Sequence, residues 1–320
     1  PETIQMIHGP GCPVCVTPAD LIDQAVALME KGVILCSFGD MIRVPGNRMS
    51  LLEAKANGGD LRVLYSPLEA VRIARENPGR EVVFFAVGFE TTAPANALSV
   101  LQASKEGLKN YSILVSHVLV PPAIAAIMSE PENRIDGFLA AGHVCAVMGT
   151  REYEPLCREH RVPIVVTGFE PVDILRGILR CLNLCRDNRP ELDNTYARAV
   201  PPDGNPAAIA QIRKIFTVSD RKWRGIGNIP DSGLELSPQY LHFDASHRFD
   251  IVNVTVAEPE SCRSGEVLQG RLRPDHCEEF GTGCTPEHPL GATMVSTEGA
   301  CAAYYRYRRT DGTTTGDSND

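Results

Sequence analysis

Long apolar segments are missing from this sequence, in which charged or polar residues interrupt every apolar run after a short stretch. A transmembrane helix needs roughly 20 consecutive apolar residues, so the sequence excludes one. Positive charge is also scarce, because 31 Lys and Arg face 40 Asp and Glu and the net charge is −9. A chain-wide basic surface for nucleic acid is therefore absent.

A secretory signal peptide and a nucleotide-binding motif are also absent. The first residues, Pro1 to Gln5, lack the charged and apolar regions of a secretory signal peptide, and we therefore expect a cytoplasmic protein. No Walker A phosphate-binding loop occurs, so the sequence offers nothing for ATP hydrolysis.

Cysteine, in contrast, is abundant. The eleven cysteines are an odd number, and without a secretory signal they argue against a disulfide framework. Thiols in a reducing compartment more often bind metals or carry redox chemistry. We expect Cys36, Cys157, Cys181 and Cys185 to be small buried hydrophobic residues. The last two are spaced i, i+4, which suits one helix face as well as a ligand pair.

The part of the chain before Pro190 alternates between strand-like and helix-like stretches. Continuous apolar strands joined by helical crossovers predict parallel sheet covered on both faces. We expect an α/β fold with two related, Rossmann-like parallel-sheet domains at residues 1–79 and 80–190. The predicted strands are residues 33–37, 61–65, 82–87, 112–116, 137–140 and 163–166.

Helix starts are marked by capping residues. Thr17 is a plausible N-cap, with Pro18 at the first helical position. Capping boxes are predicted at Ser50 and Ser66, each followed three residues later by Glu.

The pattern changes after about residue 186, where Pro and Gly become frequent. A helix capped by Asn205 is expected to run to about Phe216. We assign residues 191–309 to a third, irregular and helical domain. The polar stretch 310–320 is expected to be disordered.

Polar side chains recur where the predicted strands end. Ligands of open α/β sheets bind at the carboxyl ends of the strands, so these side chains are candidates for one shared cleft. The alternative is that the acids only cap the helices that follow them. The residues are Asp40, Glu90, His117, His143 and Glu170.

Cys12 and Cys15 form a CxxC pair within the segment GPGCPVC. Two thiols at this spacing can close a disulfide or bind one metal ion, and a helix that follows can lower a thiol pKa. The rival interpretation is half of a structural zinc site, which needs a second ligand pair. We favour redox chemistry or iron handling.

A second group of cysteines lies near the C-terminal end. Cys262, Cys277, Cys284 and Cys301 are widely spaced, and no short zinc knuckle occurs among them. Thiolates from separated loops suit an iron–sulfur cluster, and nearby Gly-rich backbone can direct N–H groups at sulfur. A cluster, a zinc site and disulfides all remain open on this spacing, with a cluster favoured.

Several long motifs resemble those of the HypD family of [NiFe]-hydrogenase maturation factors. They occur in family order between about residue 7 and residue 307 and are highly specific. The motifs are GPGCPVCVTP (9–18), FGDM (38–41), RVPG (43–46), VGFETTAP (87–94), GH (142–143), GFEP (168–171) and MVSTEGAC (294–301).

The resemblance implies a scaffold on which the Fe(CN)2(CO) group of the hydrogenase is built. The implied partners are a HypC-like chaperone, a HypE-like cyanide donor and, indirectly, the hydrogenase large subunit. The implied fold has two related α/β domains and a third domain holding a [4Fe-4S] cluster.

The resemblance also implies roles for individual residues. Cys12 and Cys15 would be a redox-active dithiol, in a layout similar to ferredoxin–thioredoxin reductase. The four cysteines Cys262, Cys277, Cys284 and Cys301 would bind the cluster. We also expect a cleft that admits the chaperone and shields the transient Fe(CN)2(CO) iron. The dithiol would lie at the mouth of this cleft. Its lining would be formed by Asp40, Arg43, Glu90, Thr91, His117 and Glu170.

The chain departs from the family pattern in three places. Relatives often carry Cys where this chain has Ser264 and Thr293, so neither position can supply an essential ligand here. The family also has an upstream Cys-Gly-x-His-like segment, and this sequence starts after that segment.

Two other functions compete with the scaffold. A stand-alone, cluster-linked disulfide reductase would use the same cysteines without a chaperone. A zinc-stabilised binding module would hold no iron. Whether the chain itself acts as an enzyme therefore stays open at this point.

Overall fold

The computed structural model describes residues 3–251 and 261–307. The predicted disordered tail, residues 310–320, lies outside this described part. No helix within the described ranges is long and apolar enough to cross a membrane.

The strands form two sheets in a mixed α/β architecture. The six-stranded sheet has the order β2-β1-β3-β4-β9-β8, and the three-stranded sheet has the order β5-β6-β7. Every pairing among β1 to β4, and every pairing in the smaller sheet, is parallel. The strands are β1 (Ile34–Phe38), β2 (Leu61–Leu64), β3 (Val82–Gly88), β4 (Tyr111–Val118), β5 (Phe138–Ala141), β6 (Ile164–Thr167), β7 (Leu192–Asn194), β8 (Phe216–Trp223) and β9 (Gly227–Leu236).

All six predicted strands are confirmed, with only small differences at their ends. The predicted break near residue 79 does not coincide with a change of sheet, because β1 and β2 before it pair in one sheet with β3 and β4 after it. The chain leaves the larger sheet after β4, forms the smaller sheet with β5 to β7, and returns to the larger sheet with β8 and β9. Hydrophobic runs revealed the strands, but nothing in those runs indicates which strands pair.

An antiparallel hairpin, β8 and β9, was missed by the sequence analysis and makes the larger sheet mixed. It joins β4 through β9, where His117 pairs with Leu234. Gly and Pro interrupt its apolar pattern, and Pro230 lies on an exposed stretch of β9. The predicted strands before Pro190 pair in parallel as expected, and the antiparallel hairpin lies in the part of the chain that was expected to be irregular and helical.

The helices surround the two sheets and connect their strands. They are α1 (Pro13–Val16), α2 (Ala19–Glu30), α3 (Leu51–Ala56), α4 (Pro67–Glu76), α5 (Ala93–Glu106), α6 (Val120–Met128), α7 (Gly142–Met148), α8 (Tyr153–His160), α9 (Pro171–Arg186), α10 (Pro206–Ile215), α11 (Ala245–Arg248), α12 (Ser264–Leu268) and α13 (Ala300–Tyr307). Four short 3-10 helices occupy Gly39–Met41, Pro238–Phe243, Pro274–His276 and Ala292–Met294.

Side-chain caps fix several of these helix starts. Both predicted capping boxes are present, at Ser50 for α3 and at Ser66 for α4, and Asn205 caps α10 as predicted. Thr17 does not cap α2, because Pro18 occupies the N-cap position. The Thr17 hydroxyl instead donates to the carbonyl of Pro13 at 2.9 Å.

Apolar side chains pack against both faces of the larger sheet. Successive residues of a strand point to opposite faces, so Phe84 and Phe85 enter two different clusters. The cluster on the Phe85 side also contains Cys12 and Cys15, together with Ala292 and Val295 from the far end of the chain. The core thus brings the CxxC segment and the last motif to one face of the sheet.

Candidate functional site

The CxxC pair is a buried, hydrogen-bonded dithiol. Cys12 is the N-cap of α1, and the backbone N–H of Cys15 donates to its sulfur at 3.3 Å. The two sulfurs lie 2.7 Å apart, with the Cys15 thiol as donor. Cys12 is 3% exposed and Cys15 is 2% exposed. A pair this close is positioned to form a disulfide between its own members when it is oxidised.

The two thiols have opposite acid–base character. The Cys15 thiol, the Cys15 backbone N–H and the Ser296 hydroxyl lower the pKa of Cys12 against the effect of burial. The same sulfur–sulfur contact, together with burial, raises the pKa of Cys15 well above its ordinary value. Cys12 is therefore the more acidic thiol of the pair, and Cys15 is the one that holds its proton more strongly.

Contacts to the larger sheet hold the dithiol at the carboxyl ends of its strands. The Thr17 hydroxyl lies 3.3 Å from the Ser116 hydroxyl on β4. The backbone N–H of Arg224, just after β8, donates to the carbonyl of Val16 at 2.8 Å. The position of the dithiol at the mouth of a chaperone-binding cleft stays a prediction.

Residues 291–301, here called the covering segment, close over the dithiol. The Cys15 sulfur lies 3.7 Å from the carbonyl oxygen of Ala292. A Cβ at Gly299 would stand 2.3 Å from the Thr293 carbonyl and 3.1 Å from the Cys15 sulfur. Only glycine at position 299 permits this approach, so the segment and the dithiol pack as one unit.

The four C-terminal cysteines line one cavity, although they are far apart in the sequence. Its volume is about 350 Å³, including its open mouth. Besides Cys262, Cys277, Cys284 and Cys301, the lining includes Ser264, Val267, Phe280, Leu290, Thr293 and Met294. All four cysteines are free thiols, as are the other seven in the chain.

Three of these sulfurs have hydrogen-bond partners. The backbone N–H of Leu290 donates to the Cys284 sulfur at 3.4 Å. The Thr293 hydroxyl donates to the Cys301 sulfur at 3.2 Å. The Cys262 thiol donates to the Ser264 hydroxyl at 3.4 Å. Donors such as the Leu290 N–H and the Thr293 hydroxyl can orient and tune a metal-bound thiolate.

Electrostatics connect the members of the quartet. Burial raises the pKa of Cys301 to about 12, the Thr293 hydroxyl opposes this, and the Coulombic influence of Cys262, Cys284 and Cys277 adds to the increase. Burial likewise raises the pKa of Cys284, and Cys262 and Cys277 contribute in the same direction. A bound cation would counter this influence and stabilise the thiolates.

The donor set consists of thiols, which suit a soft metal centre. Soft thiolates select iron–sulfur, zinc or copper(I) centres. Within residues 3–251 and 261–307, no three His, Cys, Asp or Glu side chains converge on a point where one ion could bind them. The quartet instead surrounds a volume, and Gly291 makes room in its wall, since a Cβ there would stand 2.3 Å from the Cys262 sulfur.

The predicted cleft residues differ in their exposure. Asp40 and Arg43 are exposed on the loop that follows β1, and Thr91 is half-buried before α5. Glu170 is exposed at the end of β6, in the smaller sheet, and forms an ion pair with Arg198 at 3.3 Å. These four side chains reach the surface.

Glu90 lies in the interior. It is 2% exposed, and one carboxylate oxygen accepts the N–H of Val120 at 2.8 Å, at the start of α6. The second oxygen has no hydrogen-bond partner among residues 3–251 and 261–307. Burial raises the pKa of Glu90 to about 7. A cleft-lining position was expected for this carboxyl, with capping of the following helix as the alternative; in the structure it is buried and bonds the start of α6, not α5, the helix that follows it in the chain.

His117 is also an interior residue. Its Nδ1 faces the Gly88 carbonyl at 3.1 Å, and its Nε2 lies 2.6 Å from the Asn96 amide nitrogen. This arrangement is satisfied by a neutral ring with the proton on Nδ1. Burial lowers the pKa of His117 to about 4. β3 and β4 are the two central strands of the larger sheet, so His117 on β4 and Glu90 just after β3 both lie in the interior.

His143 lies at the surface of the smaller sheet's half of the molecule. It is exposed near the start of α7, and its ring packs 4.8 Å from that of Phe169. The structure thus divides the strand-end residues into buried and exposed groups and does not gather them into one open cleft.

Comparison with known proteins identifies the family. A family model described as "HypD: Hydrogenase formation hypA family" matches residues 1–308. The chain belongs to the HypD family.

Three relatives show how far the similarity to other HypD proteins extends. The hydrogenase maturation factor HypD2 of Bradyrhizobium diazoefficiens is 47% identical over 97% of this chain and 84% of its own length. HypD of Rhodobacter capsulatus is 46% identical over 95% of this chain and 82% of its own. HypD of Escherichia coli is 44% identical over 97% of this chain and 83% of its own.

Sequence reasoning missed several site residues of this HypD-family chain. Ser296 and Gly299 belong to the MVSTEGAC motif, and a search for small or hydroxyl residues beside Cys301 could have found them. The Leu290 backbone N–H carries no sequence signal, because every residue except proline has one.

Proposed function

We propose that this HypD-family chain is a hydrogenase maturation scaffold that works with a HypC-like chaperone to assemble the Fe(CN)2(CO) group of a [NiFe] hydrogenase. Its relatives are named hydrogenase maturation factors. The observation that carries the proposal is the arrangement of the cysteines. Four thiols surround one cavity, and the covering segment that forms part of its wall also packs on the dithiol.

In this proposal the cavity holds a [4Fe-4S] cluster, bound by Cys262, Cys277, Cys284 and Cys301. A cluster bound there would pass electrons one at a time to the disulfide form of the CxxC pair, which takes up two electrons and two protons to return to the dithiol. Four thiols around a volume suit a centre in which each iron takes one cysteine, whereas one zinc ion would draw all four sulfurs to about 2.3 Å.

The dithiol residues divide the remaining work. Cys12, the thiolate, is a soft ligand suited to the low-spin Fe(II) that carries cyanide and CO. Cys15 keeps its proton and donates a hydrogen bond to the Cys12 sulfur, and this bond holds the thiolate in place. Burial of both sulfurs excludes water from the reaction.

Surface residues at the strand ends would meet the partners. We assign Asp40, Arg43, Thr91 and Glu170 to contacts with the HypC-like chaperone. Glu90 and His117 would support this edge of the sheet from inside. A HypE-like protein would donate the cyanide ligands, and the hydrogenase large subunit would receive the finished group indirectly.

The cluster is tested by anaerobic purification with iron and sulfide analysis. We expect about four irons per chain, the content of one [4Fe-4S] centre. Cys284→Ala should lose most of this iron. Cys185→Ala, a half-buried thiol outside the cavity, is the matched control and should retain it. Equal iron in the two variants would contradict the ligand assignment.

The scaffold role is tested by infrared spectroscopy of a co-purified complex with the HypC-like chaperone. The wild-type complex should show cyanide and CO stretching bands from bound iron. Cys12→Ala should abolish these bands, while Cys185→Ala should keep them. Unchanged bands in Cys12→Ala would remove the dithiol from the mechanism.

A stand-alone, cluster-linked disulfide reductase is the alternative function. The opposite pKa shifts of Cys12 and Cys15 favour it, because disulfide reductases use such a pair. The near-complete burial of both sulfurs opposes it, since a protein disulfide could not reach them. Reduction of a small disulfide by the iron-loaded chain, without co-elution of the chaperone, would favour the reductase.

A further inference from the structure

Two buried hydroxyl groups contact sulfurs of the quartet. The Thr293 hydroxyl lies 3.2 Å from the Cys301 sulfur, and the Ser264 hydroxyl lies 3.4 Å from the Cys262 sulfur. Thr293 is 2% exposed and Ser264 is 7% exposed. Among the described residues, each hydroxyl has a cysteine sulfur as its hydrogen-bond partner.

The backbone fixes both hydroxyls in place. Ser264 is the first residue of α12, and Thr293 is the middle residue of the 3-10 helix Ala292–Met294. The Thr293 carbonyl is held close to Gly299, where a Cβ would approach it to 2.3 Å. Both side chains also line the cavity. The two contacts therefore belong to the wall of the site and not to a mobile surface.

We propose that Ser264 and Thr293 are positioning residues that tune the metal centre and raise its reduction potential. The Thr293 hydroxyl donates to the Cys301 sulfur. The Ser264 hydroxyl accepts from the Cys262 thiol in this structure and would donate to the same sulfur once it binds as a thiolate. The inference rests on the proposed function, because it assumes that these sulfurs bind an iron–sulfur cluster.

The physical reason is the charge that reduction adds. An electron placed on an iron–sulfur centre increases the negative charge on its sulfur ligands, so a hydroxyl donor binds the reduced state more strongly than the oxidised state. Hydroxyls add no net charge, so they do this without disturbing the charge balance of the site. Since they act on two different cysteines, their effects should add.

The test is a redox titration of the iron-loaded chain, followed by electron paramagnetic resonance. Ser264→Ala and Thr293→Val remove one donor each with little change in volume. Each substitution should lower the midpoint potential of the cluster. At a fixed applied potential, the ratio of reduced to oxidised cluster should fall by up to tenfold. A tenfold change corresponds to about 59 mV for a one-electron couple. The double variant should show the sum.

Two controls separate tuning from structural damage. Thr282→Val removes a hydroxyl that donates to the Glu278 carbonyl in the same region, and it should leave the potential unchanged. Thr293→Ser keeps a hydroxyl and should keep the wild-type potential.

The possible failures are distinguishable. A wild-type chain that binds no iron would overturn the proposed function and this inference with it. Iron content equal to wild type, with unshifted potentials in Ser264→Ala and Thr293→Val, would overturn this inference alone. A Thr293→Ser variant shifted as far as Thr293→Val would also overturn it, because the hydroxyl would then have no role.

Discussion

Residue by residue, the dithiol is an unequal pair whose inequality comes from one contact. The Cys15 thiol donates to Cys12 across 2.7 Å, and it cannot do so once it is itself deprotonated. Ionisation of one sulfur therefore opposes ionisation of the other, and the pair titrates as a unit.

Removing the donor should move the titration of Cys12. In Cys15→Ala the Cys12 thiolate loses its strongest partner, so its pKa should rise and the thiolate should form only at higher pH. Cys15→Ser keeps a hydroxyl donor and should shift the profile less. The measurement is thiolate ultraviolet absorbance against pH in the metal-free chain. An unchanged profile in Cys15→Ala would refute the assignment of Cys12 as the more acidic thiol.

Glu90 and His117 impose opposite pH dependences on stability. The pKa of Glu90 is raised from 4.5 to about 7, so its favourable contribution is complete below pH 4.5 and is lost as the pH rises to 7. The pKa of His117 is lowered from 6.5 to about 4, so its contribution is complete above pH 6.5 and is lost as the pH falls to 4. Each change amounts to about 3 kcal/mol.

Single variants should separate these two trends. In Glu90→Gln, the free energy of unfolding should rise between about pH 4 and pH 6.5, because only the His117 contribution remains. In His117→Gln, the free energy of unfolding should instead fall between about pH 4.5 and pH 7, because only the Glu90 contribution remains. Urea unfolding at several pH values measures both slopes, with Glu170→Gln as the exposed control. Slopes that match in the two variants would contradict the assigned shifts.

Among the structural elements, the covering segment depends on one glycine. A methyl group at position 299 would meet the Thr293 carbonyl and the Cys15 sulfur. The backbone atom cannot yield as a flexible side chain could, so the segment must move away from the dithiol.

Gly299→Ala should therefore lower the free energy of unfolding by about 1–3 kcal/mol, the usual cost of overpacking. The exposure of Cys12 and Cys15 to a thiol-labelling reagent should increase at the same time. Gly79→Ala is the control, because no atom lies within 4 Å of a Cβ built there. Wild-type stability and labelling in Gly299→Ala would show that the segment does not cover the dithiol.

The sequence predicted elements well where one local pattern decided them. Unbroken apolar runs revealed the six parallel strands, and Ser–Glu spacing revealed the caps at Ser50 and Ser66. It missed β8 and β9, because their stability comes from pairing with β4 and with each other and not from a continuous apolar pattern. The burial of Glu90 and His117 was missed for the same reason, since burial depends on which strands become central.

For the molecule as a whole, the candidate site joins the two ends of the chain. The thiols of residues 12 and 15 share an apolar cluster with Ala292 and Val295. The sequence suggested both cysteine groups, but no local pattern revealed that they pack against one another.

Metal loading should therefore order both ends together. In hydrogen–deuterium exchange, iron-loaded chain should exchange more slowly than chelator-treated chain in the covering segment and also in α1. Helix α9, in the other half of the molecule, should not change. Protection limited to residues 261–290 would show that the cavity and the dithiol are not coupled.

The order of strands has a consequence for synthesis on the ribosome. The strand β9 docks beside β4, yet β4 ends at Val118 and β9 begins only at Gly227, and the whole smaller sheet is made in between. One flank of β4 therefore stays unpaired while that intervening chain emerges. The unpaired edge is a template for unwanted association with other nascent chains, and a helper that shields it would raise the yield of correctly folded protein.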